Sequence, residues 1–97
     1  MKYIISQSKL EKLIEKYLDS LDWESREEGH VKRLFLNGKL TMVSYTIIGG
    51  ERMLTIFQNN FLNTLISLFS LKKEMIWIIM NWYNKKMDDN CSQYEIV

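Results

Sequence analysis

The sequence predicts an α+β domain in which a three-stranded antiparallel β-meander is flanked by an N-terminal helix and two C-terminal helices, in the order α-β-β-β-α-α. Asn37-Gly38 and Gly49-Gly50 each interrupt β-prone runs between Val31 and Gln58, and such pairs supply the positive φ angles that two-residue hairpin turns need. Apolar residues recur with helical spacing on both sides of this stretch. The chain has 97 residues, which predicts a single domain with one modest core.

The composition is that of a globular protein without a strong charge bias. The net charge is +1 with 26% charged residues, so no strong field draws the chain to nucleic acid or anionic lipid. Cys91 is the only cysteine, which excludes an internal disulfide framework and fits a reducing compartment. We expect no signal peptide, because the apolar run at the start is too short and lacks a small-residue cleavage site. We expect no membrane span, because Lys72, Lys73 and Glu74 interrupt the apolar stretch 61–83.

A helix is predicted over residues 6–22, after a short extended lead-in at residues 1–5. Two starts fit the sequence: Ser6 as N-cap, or a capping box formed by Ser8 and Glu11. The spacing i, i+3, i+4, i+7, i+8 and i+11 places one apolar stripe on this helix. The stripe consists of Leu10, Leu13, Ile14, Tyr17, Leu18 and Leu21.

The charged segment that follows, from Asp22 to His30, is predicted to be an exposed loop. Trp23 is expected to point inward from this loop, because an indole ring is costly to leave in water.

The meander over residues 31–58 is predicted with a two-residue loop at each turn. In this register four cross-strand pairs lie on one side of the sheet. They are Phe35 with Leu40, Arg33 with Met42, Thr46 with Met53, and Met42 with Phe57. The other side is the more apolar one and holds Leu34, Leu36, Thr41, Val43, Tyr45, Ile47, Leu54 and Ile56. Because both sides carry apolar side chains, we expect both to be partly covered, by the helices or by a partner chain.

Two helices are predicted over residues 60–87, followed by a polar tail at residues 88–97. Asn59-Asn60 is expected to cap the first helix and Ser70 the second. The second helix is apolar nearly all round, which indicates burial on several sides or contact with another molecule. The tail includes residues that suit a short extended segment: Tyr94, Ile96 and Val97.

No residues in the sequence match a catalytic, cofactor or metal site, so we expect no enzyme activity. His30 is the only histidine, which leaves one chain without a His-based metal set or a Ser-His-Asp triad. Cys91 lies among acidic residues, which raise rather than lower a thiol pKa. Asp88-Asp89-Asn90 is too short for a calcium loop, and Gly49-Gly50 lacks phosphate-loop spacing.

The apolar surface that remains predicts a protein-interaction module, which binds a partner protein or forms a homo-oligomer. Aromatic and methionine side chains are enriched at the centres of interfaces. The candidate contacts on the mixed side of the sheet are Phe35, Met42, Met53 and Phe57. The candidates on the last helix are Trp77, Met80 and Tyr83.

A nucleic-acid-binding protein is the alternative, because basic residues decorate a sheet that also carries aromatic rings. The basic residues are Lys32, Arg33, Lys39 and Arg52. Stacking platforms need their aromatic rings on one face, and the predicted register places Tyr45 opposite Phe35 and Phe57. The charge balance also lacks the positive patch that phosphate binding requires.

The opening Met1-Lys2-Tyr3-Ile4-Ile5-Ser6-Gln7-Ser8-Lys9-Leu10, leading into Leu13-Ile14, resembles the starts of small uncharacterised proteins from tailed bacteriophages. The segment from Phe69-Ser70-Leu71 to Trp82 is similar in kind. The resemblance implies a viral protein made in the cytoplasm of a bacterial host, and it adds a minor structural component of a virion as a further alternative. It carries over no functional residues.

Overall fold

The computed structural model describes residues 7–58 and 60–97. Within these ranges the elements are α1 (Gln7–Asp19), β1 (Trp23–Glu28), β2 (Val31–Leu36), β3 (Lys39–Thr46), β4 (Arg52–Ile56), α2 (Asn60–Phe69), a 3-10 turn (Lys73–Met75), α3 (Trp77–Met87) and β5 (Gln93–Ile96). The α+β class is confirmed. The predicted meander is part of a larger sheet, since the described strands pair in the order β1-β2-β3-β4-β5.

The start of α1 bears on the two predicted caps. Because α1 begins at Gln7, Ser8 lies inside the helix rather than at its N-cap. The predicted lead-in at residues 1–5 and the caps at Ser6 and Asn59 lie outside the described residues.

The segment predicted as a charged loop forms the edge strand β1. It pairs with β2 from Trp23 opposite Leu36 to Glu28 opposite Val31, and the turn between them starts at Gly29 with φ of 59°, as a type II′ turn requires. Glutamates are poor strand formers, but outward charges on an edge strand prevent pairing with other chains. Trp23 does point inward, where its Nε1 donates to the Leu18 carbonyl at 2.7 Å.

The first predicted turn forms, and a β-bulge follows it. Both Asn37 and Gly38 have positive φ, at 52° and 78°, which is the type I′ conformation. Phe35 pairs with Leu40 as predicted, but the next pair is Leu34 with Met42, so Thr41 is an extra residue in β3. The predicted pair of Arg33 with Met42 is therefore wrong, and Arg33 faces Val43 instead.

The second turn has three loop residues, Ile48-Gly49-Gly50, rather than two. The Ile47 amide donates to the Glu51 carbonyl at 2.8 Å and closes the hairpin. The predicted pairs of Thr46 with Met53 and of Met42 with Phe57 are wrong by one residue, because Thr46 pairs with Arg52 and Met42 with Ile56. A shift of one residue moves a side chain to the opposite face.

The bulge and the longer loop together change the sheet face on which the side chains of the middle strand lie. The two one-residue shifts cancel between β2 and β4, so Phe35 and Met53 still share a face as predicted. Only the part of β3 after the bulge, from Met42 to Thr46, is reversed between them, and Leu40 keeps its predicted place beside Phe35. Val43 and Tyr45 therefore join Phe35 and Met53, and Met42 goes to the opposite face.

The three described α-helices pack on this opposite face of the sheet and form a two-layer structure with one core. The sheet contributes Leu34, Met42, Leu54 and Ile56 to the core. The helices and the N-cap residue of α3 contribute Ile14, Leu18, Leu62, Leu65, Ile76, Ile78, Ile79, Trp82 and Tyr83, and all of these side chains are at most 3% exposed. Aromatic contacts connect the layers, including an edge-to-face contact between Trp23 and Phe61 at 5.2 Å. Burial of these side chains is the main stabilising contribution to the fold.

Residues 71–87 form two pieces rather than the single predicted helix. Ser70 does not cap α3, because it has a left-handed conformation with φ of 50° and ends α2. The Leu71 amide donates to the Ile66 carbonyl at 3.2 Å, which is the pattern of a left-handed C-terminal cap. The 3-10 turn then precedes α3.

Replacing Ser70 by Gly is expected to raise the free energy of unfolding by about 0.5–1 kcal/mol, because glycine adopts a left-handed cap without a Cβ penalty. Urea unfolding measures the change. Ser67→Gly is the matched control on the exposed side of α2, where the same substitution is expected to cost about 0.5 kcal/mol. Equal destabilisation by both variants would contradict the cap assignment.

The predicted polar tail contains β5, which pairs parallel to β4 with Tyr94 beside Leu54 and Ile96 beside Ile56. The tail is therefore ordered as an edge strand, and its residues Tyr94 and Ile96 pack on the core, whereas Val97 is exposed. Lys32 supports the connection to β5, since its Nζ donates to the Met87 and Asp88 carbonyls at 2.9 and 3.0 Å. This contact satisfies carbonyl groups at the end of α3 and complements the helix dipole.

Candidate protein-interaction face

The side of the sheet turned away from the α-helices is called the open face here. Side chains alternate along strands and paired residues share a face, which assigns to it Glu24, Arg26, Glu28, Val31, Arg33, Phe35, Leu40, Val43, Tyr45, Met53, Thr55, Phe57, Gln93 and Glu95. Its apolar members are half-buried, and none of them belongs to the core cluster. None of the described α-helices covers this face.

The central row of the open face crosses all five described strands. It consists of Arg26, Arg33, Val43, Thr55 and Glu95, which are successive pairing partners. Arg26 and Arg33 therefore occupy the β1–β2 end of the row, where each pairs at 3.6 Å with a glutamate of β1, Glu24 and Glu28 respectively. The Glu95 carboxylate occupies the β5 end, and the apolar Val43 lies in the middle.

Two further rows flank the central one. The row toward the second turn holds Glu28 and Val31 at the β1–β2 end, and Tyr45, Met53 and Gln93 at the other end. On the opposite flank, Glu24 pairs with Phe35, and Phe57 directly follows β4. These rows place aromatic and aliphatic side chains around Val43.

Side-chain contacts hold both ends of the open face in place. The Arg26 guanidinium lies 4.8 Å from the centre of the Phe35 ring, a cation–π contact. At the other end, Glu95 Oε1 accepts hydrogen bonds from Tyr45 at 3.0 Å and from Thr55 at 2.8 Å. The face is preorganised, so a partner would immobilise few additional side chains.

The structure places the predicted sheet contacts as follows. Phe35, Met53 and Phe57 lie together on the open face, whereas Met42 is fully buried beneath the helices. Because the bulge reverses β3, Val43 and Tyr45 occupy the middle of the face. Alternation along the strand marks these two residues as a pair, but nothing in the sequence shows the bulge that turns them outward.

The predicted contacts on the last helix belong mainly to the core. Tyr83 is 0% exposed and its hydroxyl lies 2.8 Å from Ser44 Oγ, while Trp77 and Met80 are half-buried against the core cluster. Tyr83 and Met42 therefore offer no surface to a partner in this structure. The apolar circumference of α3 is explained by burial on several sides.

The basic residues of the nucleic-acid alternative do not form one patch. Arg52 is buried and Lys32 is engaged with the end of α3, and only Arg33 of the four lies on the open face. The prediction that Tyr45 lies on the opposite side of the sheet from Phe35 and Phe57 is wrong, because the reversal of β3 places all three rings on one face. On that face, however, three glutamates outnumber two arginines.

Arg52 is the centre of a buried polar group, called the Arg52 cluster, which consists of Arg52, Asp89, Ser44 and Tyr83. Two nitrogens of Arg52 donate to the two oxygens of Asp89, each at 3.1 Å, and Ser44 donates to Asp89 at 2.6 Å. The side chains of Arg52 and Asp89 are only 10% and 3% exposed. The cluster attaches the segment between α3 and β5 to strands β3 and β4.

The surroundings of the Arg52 cluster shift its pKa values. Burial alone would raise the pKa of Asp89, but hydrogen bonds from Arg52, Ser44 and the Asn90 amide outweigh it and lower the pKa from 3.8 to about 2. The hydrogen bond to Asp89 raises the pKa of Arg52 further. Burial raises the pKa of Tyr83. The ion pair is therefore fully charged at neutral pH, as its bidentate geometry suits.

Cys91 lies beside this cluster and is 5% exposed. Burial, followed by the negative charge of Asp89, raises the pKa of its thiol to about 12. The thiol is therefore protonated at neutral pH and is not activated as a nucleophile.

The described part of the chain has surface cavities, and two of them exceed 500 Å³. One, of about 550 Å³, lies between α1, α2 and the Asn37-Gly38 turn, where Tyr17, Thr41 and Phe61 line it. The other, of about 530 Å³, lies beside β5 and is lined by Leu62, Leu71 and Tyr94 among others. Neither contains an arrangement of acid, base and nucleophile. Residues 7–58 and 60–97 also hold no cluster of three metal-ligating side chains.

None of the helices in the described part of the chain has the length and apolarity to cross a membrane. Comparisons with protein-family models, with curated proteins and with solved structures found no match for this chain.

Proposed function

We propose that this chain is a non-enzymatic protein-interaction module that binds its partner through the open face. The observation that supports this proposal is the connected apolar patch formed by Phe35, Val43, Tyr45, Met53 and Phe57, which no described helix covers. The exposed side of an antiparallel sheet ordinarily carries polar residues. A connected apolar patch with charged ends is typical of a protein interface, which has an apolar centre and a polar rim.

The resemblance to bacteriophage proteins indicates where a partner is to be sought. A protein of that origin acts in the cytoplasm of a bacterial cell, where its partner is a host protein, a virion protein or a second copy of the chain. The proposal requires no cofactor, because side-chain complementarity alone supplies the binding energy.

Binding of single-stranded nucleic acid is the second candidate, and the shared face of Phe35, Tyr45 and Phe57 favours it. Such rings stack on successive bases when basic groups neutralise the backbone. The excess of glutamate over arginine on this face opposes that role. A titration with single-stranded oligonucleotides at low and high salt distinguishes the two, since phosphate binding weakens steeply with salt.

The double variant Phe35→Ser and Met53→Ser is expected to reduce partner capture about tenfold or more, because hot-spot side chains dominate the binding energy of an interface. The tagged chain is incubated with a bacterial lysate and, separately, with an untagged copy. The matched control is Leu13→Ser with Leu68→Ser, two side chains that are 48% and 59% exposed on the helical side. Circular dichroism verifies that both variants fold. Equal capture by the open-face variant and the wild type would refute the proposal.

A further inference from the structure

We propose that the partner of the open face is a second copy of this chain, related by a two-fold axis that runs along β3. This inference rests on the proposed function and narrows it to one partner. The central row reads Arg26, Arg33, Val43, Thr55 and Glu95 across the sheet. The axis lies between the two stacked sheets and parallel to the strands, so that β1 of one copy lies over β5 of the other. The order of the central row in the second copy is therefore reversed.

The reversed central row is complementary at its two ends and at its centre, and Thr55, which is 5% exposed, adds little surface between them. Arg26 of one copy faces Glu95 of the other, Arg33 faces Thr55, and Val43 faces itself on the axis. Because the two-fold axis repeats every contact, the pair of Arg26 with Glu95 occurs twice, once at each edge of the interface. A self-complementary surface of this kind is what a two-fold interface requires.

The flanking rows match in the same way. Val31 lies opposite Met53 and Glu28 opposite Gln93, while Tyr45 lies on the axis. On the other flank, Phe35 lies opposite Phe57. The aromatic and aliphatic groups therefore meet one another at the centre, and the polar groups meet at the rim.

The direction of the axis follows from the charges. A two-fold axis across the strands would lay each strand over its own copy, which would bring Arg26 against Arg26 and Glu95 against Glu95. Like charges in contact across an interface oppose association. The axis along β3 avoids both contacts and lays the two sheets with their strands nearly aligned, as stacked sheets prefer.

The size of the open face sets the expected affinity. Five strands about 4.8 Å apart and some five residues long cover roughly 400 Å² in projection on each copy. The total of about 800 Å² is below the roughly 1,200 Å² at which stable interfaces begin and is typical of weak, transient ones. We therefore expect a dimer with a dissociation constant in the micromolar range, which forms at tens to hundreds of micromolar protein.

Two charge-reversal variants test the arrangement. Arg26→Glu and Glu95→Lys are each expected to raise the dimer dissociation constant about tenfold or more, because each places two like-charged pairs in the interface. An equimolar mixture of the two variants is expected to recover wild-type affinity, since both edge contacts are again between opposite charges. Sedimentation equilibrium of each variant and of the mixture measures this. Leu13→Ser is the control and is expected to dimerise as the wild type does.

A cross-linking measurement tests the position of the axis. Val43→Cys places a thiol at the centre of the interface, and a short bis-maleimide is expected to join two copies across the roughly 10 Å that separate stacked sheets. Ser67→Cys on α2 is the control and is expected to dimerise without being cross-linked. The native Cys91 contributes little background because it is buried.

A wild type that stays monomeric at about 1 mM, a mixture that does not recover affinity, or a Val43→Cys variant that does not cross-link would each overturn this inference. These outcomes are distinguishable from failure of the proposed function. If the wild type captures a lysate protein that the Phe35→Ser and Met53→Ser variant does not, the open face binds a different protein. If the variant captures as much protein as the wild type does, the proposed function is refuted as well.

Discussion

The Arg52→Met variant is expected to have a free energy of unfolding about 3–5 kcal/mol below that of the wild type, because it leaves the buried carboxylate of Asp89 without its cation. The Asp89 side chain is 3% exposed and receives two hydrogen bonds from Arg52. Methionine preserves most of the volume of the arginine stem, so the loss reports the charge rather than a cavity. Denaturant unfolding at neutral pH measures it.

Lys85→Met is the matched control for this substitution. Lys85 pairs with Glu15 at 3.1 Å, but its side chain is 72% exposed, and such surface pairs contribute about 0–1 kcal/mol. A loss below 1 kcal/mol for Arg52→Met would show that the Arg52 cluster does not support the fold. The double variant Arg52→Met with Asp89→Asn is expected to lose less than the two single losses added together, since each removes the same interaction.

Acid is expected to remove about 2 kcal/mol of stability through Asp89 alone. Its pKa is about 2 in the folded protein, against an ordinary value of 3.8, so the unfolded chain binds a proton first as the pH falls. This contribution is fully present above about pH 5 and disappears as the pH falls through 3.8 to about 2. Nearly two pKa units at about 1.4 kcal/mol each give the magnitude.

A comparison with Asp89→Asn isolates this effect from that of the other carboxylates. The difference in unfolding free energy between the wild type and Asp89→Asn is expected to narrow by about 2 kcal/mol between pH 6 and pH 2. Asp22→Asn, an exposed carboxylate in the connection before β1, reports the general effect of removing one acidic group. A difference that stays constant with pH would contradict the role assigned to Asp89.

The importance of Arg52 illustrates what the sequence shows only in part. Arg52 alternates with Leu54 and Ile56, and this spacing places it on the apolar side of its strand. Its partner Asp89 lies 37 residues away in a segment predicted to be a loosely held tail. A buried ion pair between such distant residues cannot be inferred from one sequence, because neither residue is unusual within its own neighbourhood.

The open face shows the same division between local and distant information. Phe35, Met53 and Phe57 were placed on one face by alternation alone, and the structure keeps them together. Val43 and Tyr45 lie on this face instead of Met42, because of the bulge at Thr41 and the third loop residue at the second turn. Both deviations arise because burial of Met42 under the helices outweighs the local preference for a regular ladder with two-residue loops.

The sequence by itself determined the α+β class, the apolar stripe of α1, the Asn37-Gly38 turn and the inward position of Trp23. Each depends on contacts within a few residues or on side-chain periodicity, which a single chain displays. Tertiary structure decided the addition of β1 and β5 to the sheet, the face that Met42 occupies and the burial of Arg52 with Asp89. These features depend on which distant segments pair, and the free energy of that pairing is gained only when the whole core is assembled.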